Sequence, residues 1–214
     1  MILTSPSFDT VARFNELPSL QDANEAKNKL VTEEIFKTLG DLFVEYHVES
    51  IFDLILLHNH FLLEKGEILL ETGSLSDNQQ KVISQPVKID ELASPVQGFR
   101  WRTTPDKSYV PFEFRSEDED KKLDFSSSEI QSFLEEFSIK LNELNLTNIF
   151  GICTTDDVPG METTEGRKSI TVPLTGSVKP DDQIIEASWN FKIDLNDNGE
   201  RIVKRGCKNC CNCK

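Results

Sequence analysis

Apolar side chains recur every three or four positions between residues 22 and 48, where Leu30, Ile35, Phe36, Leu39, Leu42 and Phe43 form one stripe, and this spacing predicts helix. Thr32 followed by two glutamates offers a start inside the segment and Gly40 a break, so one helix or two fit the pattern. Residues Ile51 to Leu63 form a short apolar run with large side chains, which periodicity alone cannot divide between buried strand and buried helix; we read it as strand. Residues 73–98, punctuated by glycine, proline, serine and asparagine, read as loops around a short strand at 81–87. Phe99 to Arg102 and Tyr109 to Arg115 read as strands, with Pro111 placing the second at a sheet edge.

Ser126-Ser-Ser-Glu129 is a helix-capping cluster. It opens an amphipathic helix with Ile130, Phe133, Leu134, Phe137, Leu141 and Leu144 on one face and Glu135, Glu136, Lys140 and Glu143 on the other. After Asn148 the period changes to strands at 149–154, 169–174 and 184–195. The last runs through Asn196-Asp-Asn-Gly199, a strong hairpin turn signal, into Glu200 to Lys204. Helices and strands thus fall in separate blocks. The expected class is α+β: an N-terminal helical segment, one long amphipathic helix, and an antiparallel sheet ending in the Asn-Gly hairpin. Residues 1–205 form one acidic domain on this reading, and 206–214 a cysteine-rich basic tail.

Composition changes that picture mainly through its distribution. The 214 residues carry 37 acidic and 23 basic side chains, a net charge of -14. Five of the basic residues, Arg201, Lys204, Arg205, Lys208 and Lys214, lie in the last fourteen positions, which hold no acid. An acidic body repels phosphate backbones, so a nucleic-acid partner is not expected. No run reaches the twenty or so apolar residues of a membrane-spanning helix, and the first residues lack a secretory pattern. The expectation is therefore an intracellular, cytoplasmic chain whose five cysteines are thiols. The charge run Ser116 to Lys122 reads as a solvated boundary within the fold.

Two segments carry candidate chemistry. His47, His58 and His60 fall within fourteen residues, followed by Glu64, Glu67 and Glu71. On a strand, positions two apart share a face, so His58, His60 and Glu64 would present two imidazoles and a carboxylate to a divalent metal such as zinc, iron or manganese. The same histidines with Glu67 are candidates for acid–base catalysis. On a helix His58 and His60 would point about 200° apart, and the alternative is a polar pair closing a buried segment. Cys153 reads as a small strand residue rather than a nucleophile. Asp194 to Gly199 match half of an EF-hand loop, but Arg205 stands where the bidentate glutamate belongs, so calcium is not expected.

The second segment is Cys207-Lys-Asn-Cys210-Cys211-Asn-Cys213. Clustered thiolates suit Zn(II) or Cu(I), and basic neighbours favour the thiolate. Cysteines among lysines also resemble lipidated tails that give peripheral membrane contact, although the ending does not fit prenylation. A flexible tail without a fixed role is the third reading.

His58-x-His60 with Glu64 resembles the first metal motif of the cupins, which implies that these three residues bind metal. The resemblance covers only Leu57 to Gly73: Phe52 stands where the motif has glycine, Gly73 comes late, and no histidine follows His60. More broadly, Leu56-Leu-His-Asn-His-Phe61, Val110-Pro-Phe-Glu-Phe114, Phe150-Gly-Ile152 and Ala187-Ser-Trp-Asn-Phe191 resemble an uncharacterised family of filamentous fungi. That resemblance implies no activity. It implies that the His58 segment is a shared signature and that the cysteine run lies outside the shared region. Two functions follow as expectations: a metal-assisted or histidine-based enzyme acting on a small molecule through residues 58–67, or a non-catalytic module whose tail engages metal, membrane or a partner protein.

Overall fold

The computed structural model describes every residue except 1, 3, 4, 8, 75–80, 117–122, 156–158, 175–183, 197–200 and 213–214. Among the described residues four α-helices, α1 (Thr10–Asn15), α2 (Leu20–Leu30), α3 (Glu33–Glu45) and α4 (Ser128–Glu143), accompany ten strands. The strands are β1 (Phe52–Leu56), β2 (Glu67–Ser74), β3 (Lys81–Lys88), β4 (Val96–Thr103), β5 (Tyr109–Ser116), β6 (Phe150–Thr154), β7 (Gly160–Thr164), β8 (Ser169–Pro173), β9 (Ile184–Leu195) and β10 (Arg201–Asn212). They close into one barrel in the order β1-β6-β4-β5-β2-β3-β8-β7-β10-β9. Two neighbours, β2 with β5 and β7 with β10, are parallel and the rest antiparallel.

The α+β expectation is therefore wrong. The protein is mainly β, and its strands from both halves of the chain interleave around a closed ring instead of forming an antiparallel sheet beside a helical block. Two strands escape the hydrophobic pattern. β2 opens on Glu67 and contains Glu71, and β7, Gly-Met-Glu-Thr-Thr, carries one apolar side chain. Closure also removes the edge expected at Pro111. Its ring sits beside the register shifts of the β4–β5 ladder and ahead of Glu113, where pairing with β2 begins, so its missing N–H interrupts no second ladder.

Helices α2, α3 and α4 begin where a side chain can satisfy an exposed amide. Ser19 accepts from the Asp22 N–H, Thr32 from Ile35 and Ser127 from Ile130; each such cap is worth about 1 kcal/mol. The 22–48 stripe is two helices, parted at Val31 and Thr32 rather than at Gly40. Gly40 has a different task. A β-carbon there would lie 2.5 Å from the Phe191 ring, so its absence lets α3 press against β9.

β1 shows how the wall divides two interiors. Phe52, Leu54 and Leu56 face α3 and α4, joining Phe36, Leu39, Phe43, Phe133, Phe137, Trp189 and Phe191 in the larger core. Ile55, and Leu57 just beyond the strand, point the other way and meet Phe14, Leu17, Leu63, Leu69, Phe112 and Cys153. The helices therefore cover the outside of the barrel, while α1 and the β1–β2 connection close over one end of its lumen. No helix among the described residues is long and apolar enough to cross a membrane.

The run at 206–214, expected as a tail, is barrel wall as far as Asn212. β10 pairs with β9 along its whole length and with β7 from Asn209 to Asn212. The β9–β10 hairpin has the register that the sequence suggests, Leu195 opposite Arg201, and Asp194 pairs with Lys204 across it. The turn at 197–200, the charge run at 117–122 and Cys213 lie outside the described residues.

Candidate metal centre

His58 and His60 leave β1 into a connection tied down on both sides. Asn59 receives the path of α1: its N–H donates to the Pro18 carbonyl at 2.8 Å and its side-chain amide to the Leu17 carbonyl at 2.7 Å. Asn15 then exchanges two hydrogen bonds with the Leu63 backbone, at 2.9 and 2.8 Å. A segment held this way cannot swing its histidines freely. Both rings turn into the lumen, meeting edge to face with centroids 4.8 Å apart.

Six strands send side chains to the same place: Leu69 from β2, Ser84 from β3, Arg100 from β4, Glu113 from β5, Glu162 from β7 and Ser169 from β8. Only the lumen is common to them. The cavity they enclose measures about 10 Å³, room for one water-sized particle.

The polar groups are ordered by a chain of contacts. His58 Nδ1 lies 2.8 Å from the Leu56 carbonyl oxygen, which can only accept, so Nδ1 carries the proton and Nε2 keeps its lone pair. Burial lowers the His58 pKa to about 4, helped by His60, and keeps the ring neutral near pH 7. His60 Nε2 stands 3.2 Å from His58 Nε2 and 3.0 Å from Glu162 Oε1, donating toward both. Burial opposes its charge, but Glu162 outweighs burial and raises its pKa. Burial alone would raise Glu162 as well; His60, Arg100 and His58 reverse this and hold its carboxyl below the usual range.

Cys211 completes the cluster from β10. Its Sγ lies 3.9 Å from His58 Nε2 and 3.8 Å from Glu162 Oε2. One ligand atom each from His58, His60 and Cys211 fit within 4.8 Å of one another. A tetrahedral ion with bonds of about 2.0–2.3 Å spaces its donors roughly 3.3–3.7 Å apart, so the observed separations need adjustments well under the length of a bond. Behind this group Arg100 donates to Glu113 at 3.1 Å. Burial raises the Glu113 pKa against the pull of Arg100.

The structure brings together only part of the ligand set expected from the sequence. His58 and His60 converge, but Glu64 does not join them. Its side chain is 69% exposed, facing Lys88 at 3.8 Å and Arg167 at 3.5 Å. Glu67, expected as the catalytic partner, is buried in a separate ion cluster: Arg167 donates to both of its oxygens, the Glu64 N–H donates at 2.7 Å, and Lys88 lies at 3.7 Å. Strand alternation fails as a guide here because His58 and His60 stand past the end of β1 and Glu67 opens β2. His47 is exposed, with φ of 55° at the end of α3, away from both.

The three described cysteines of the 207–213 run do not come together at one place. Cys211 turns to the histidines, whereas Cys207 and Cys210 lie together, Sγ to Sγ 2.7 Å. Cys210 and Cys211 are 3% and 0% exposed, which gives a lipid anchor on either no support. Glu162, Arg100 and Glu113 were not candidates in the sequence. For Arg100 and Glu113 the one available signal is a charge inside a strand segment, as in Val-Pro-Phe-Glu113-Phe, where an acid interrupts an otherwise apolar run. Comparison with family models, curated proteins and solved structures yields no match to this chain.

Proposed function

We propose that this protein is a metal-binding barrel whose lumen takes one divalent transition-metal ion on His58, His60 and Cys211, with Glu162 as the fourth donor. The observation that carries the reading is the convergence of two imidazole nitrogens and a thiol within 4.8 Å. Two imidazoles with a thiolate favour Zn(II) over hard cations such as magnesium or calcium. Charge supports the same choice: a dication, one thiolate and one carboxylate sum to zero, as a site away from water requires. The Leu56 carbonyl holding His58 Nδ1–H is the kind of outer partner that orients a ligating imidazole.

A cavity of about 10 Å³ supports an ion and argues against an organic substrate in the lumen. The metal reading therefore replaces small-molecule catalysis through residues 58–67, and it brings in Cys211 where the cysteine run was expected to bind metal by itself.

The test is titration of the reduced, metal-stripped full chain with Co(II) as a coloured stand-in for zinc. We expect saturation at one ion per chain and a thiolate-to-cobalt charge-transfer band. Cys211→Ser abolishes the band, and His58→Ala weakens binding at least a hundredfold. Absence of the band in the folded wild type, or its persistence in Cys211→Ser, overturns the assignment.

A further inference from the structure

We propose that Cys207 and Cys210 form a reversible dithiol–disulfide couple on the side of β10 facing α2, separate from the lumen site. In a regular strand, residues three apart sit about 10 Å from one another and point to opposite faces, beyond the reach of a disulfide. β10 is not regular at this point. Cys207 pairs with Trp189, Asn209 with Ser188 and Cys210 with Glu186, so Lys208 is an extra residue on β10 and Ala187 an extra residue on β9. Bulges of this kind return positions three apart to the same face.

β9 provides an independent check on the geometry. Trp189 and Glu186, the register partners of the two cysteines and also three apart, meet through a hydrogen bond from Trp189 Nε1 to Glu186 Oε2 at 2.7 Å. The facing irregularities thus bring together both i, i+3 pairs, one on each strand. The sulfur atoms at 2.7 Å are already within about 0.7 Å of a disulfide bond length. Adjacent residues of an extended strand face opposite ways, so Cys211 is turned from this pair toward the histidines.

The surroundings suit thiol exchange. Lys27 of α2 has its ammonium 5.3 Å from the centre of the Trp189 ring and interacts electrostatically with Cys207 and Glu186. The two sulfur atoms share one hydrogen bond, in which either thiol can donate to the other. Cys207 is partly exposed and Cys210 buried, so a small oxidant meets Cys207 first.

With oxidised glutathione as the oxidant, Cys207 sulfur attacks one glutathione sulfur, the glutathione S–S bond breaks, and one reduced glutathione leaves with the proton. Cys210 sulfur then attacks Cys207 sulfur and expels the second reduced glutathione. Two protein thiols are oxidised and one external disulfide is reduced.

The test is thiol mapping of the folded, metal-free wild-type chain after exposure to oxidised glutathione. We expect two of the five thiols to become resistant to alkylation together and to return with dithiothreitol. Tryptic cleavage leaves 206–208 bridged to 209–214, and fragmentation assigns the bridge to Cys210. In Cys210→Ser, Cys207 instead retains glutathione. A bridge from Cys207 to Cys211 or Cys213, or continued alkylation of both Cys207 and Cys210, overturns the proposal. Neither readout involves metal, so the outcome stands apart from the cobalt titration.

Discussion

The two sides of the barrel wall differ in what they bury beside their apolar residues. Outside, under α3 and α4, Phe43 meets Phe133 at 4.8 Å and Phe137 at 5.6 Å, and Phe133 stacks on Phe137 at 5.3 Å. Inside, at the end closed by α1, two histidines, two glutamates and an arginine line a water-sized cavity, and Cys211 lies against His58 and Glu162. Apolar contact rewards the first arrangement directly. The second is costly to bury, and only its internal pairing makes it tolerable. The larger apolar core thus lies outside the wall, while the lumen holds its polar cluster beside the smaller apolar group of Phe14, Ile55, Leu57, Leu69 and Phe112.

The sharpest way to break that division is to cut into the aromatic side. Phe133→Ala, at a position with no exposure, is expected to destabilise by about 3–5 kcal/mol, read from denaturant midpoints, while leaving the cobalt stoichiometry of the remaining folded protein unchanged. A lost metal site in that folded fraction would mean the two sides are one cooperative unit.

A second test adds stability from the lumen. Zinc at a thousandfold excess over its dissociation constant stabilises a one-site protein by about 4 kcal/mol, and we expect that shift in the wild type and none in Cys211→Ser. Equal stabilisation of both proteins would place the binding site elsewhere.

The smallest effect concerns Glu67, whose ion cluster is neither aromatic core nor metal centre. Burial works to raise its pKa, but Arg167, the Glu64 N–H and Lys88 overcome that and lower it. A depressed folded value contributes stability above the unfolded carboxylate pKa of 4.5, and that contribution is lost as pH falls through the folded value. Glu67→Gln is therefore expected to cost about 1–2 kcal/mol near pH 7, with the gap to wild type closing as the solution is acidified below 4.5. A gap that is constant with pH would show that shape rather than charge matters at this position.

What the sequence disclosed follows the range of each interaction. The α4 face and the β9–β10 hairpin are local patterns, and Ser127 and the register at Leu195 and Arg201 follow them. His58 and His60 were also visible as a pair two residues apart. Their sulfur partner was not, because Cys211 is 153 positions from His58 and reaches it only through barrel closure. Glu162 was hidden for the same reason, on a strand whose composition gives no strand signal. Glu64 and Glu67 misled because nearness in sequence stood in for nearness in space; Arg167, a hundred residues from Glu67, claims that carboxylate.

The pairing of β10 with both β7 and β9 also sets an order of events in time. Among the described strands β10 is the last to leave the ribosome, and until it arrives β7 and β9 each present an open edge. His58 and His60 wait in that interval without their thiol. Ring closure and delivery of Cys211 are the same step, so a half-made barrel lacks the sulfur donor of the proposed metal site, and the long sequence separations involved make that step a slow one.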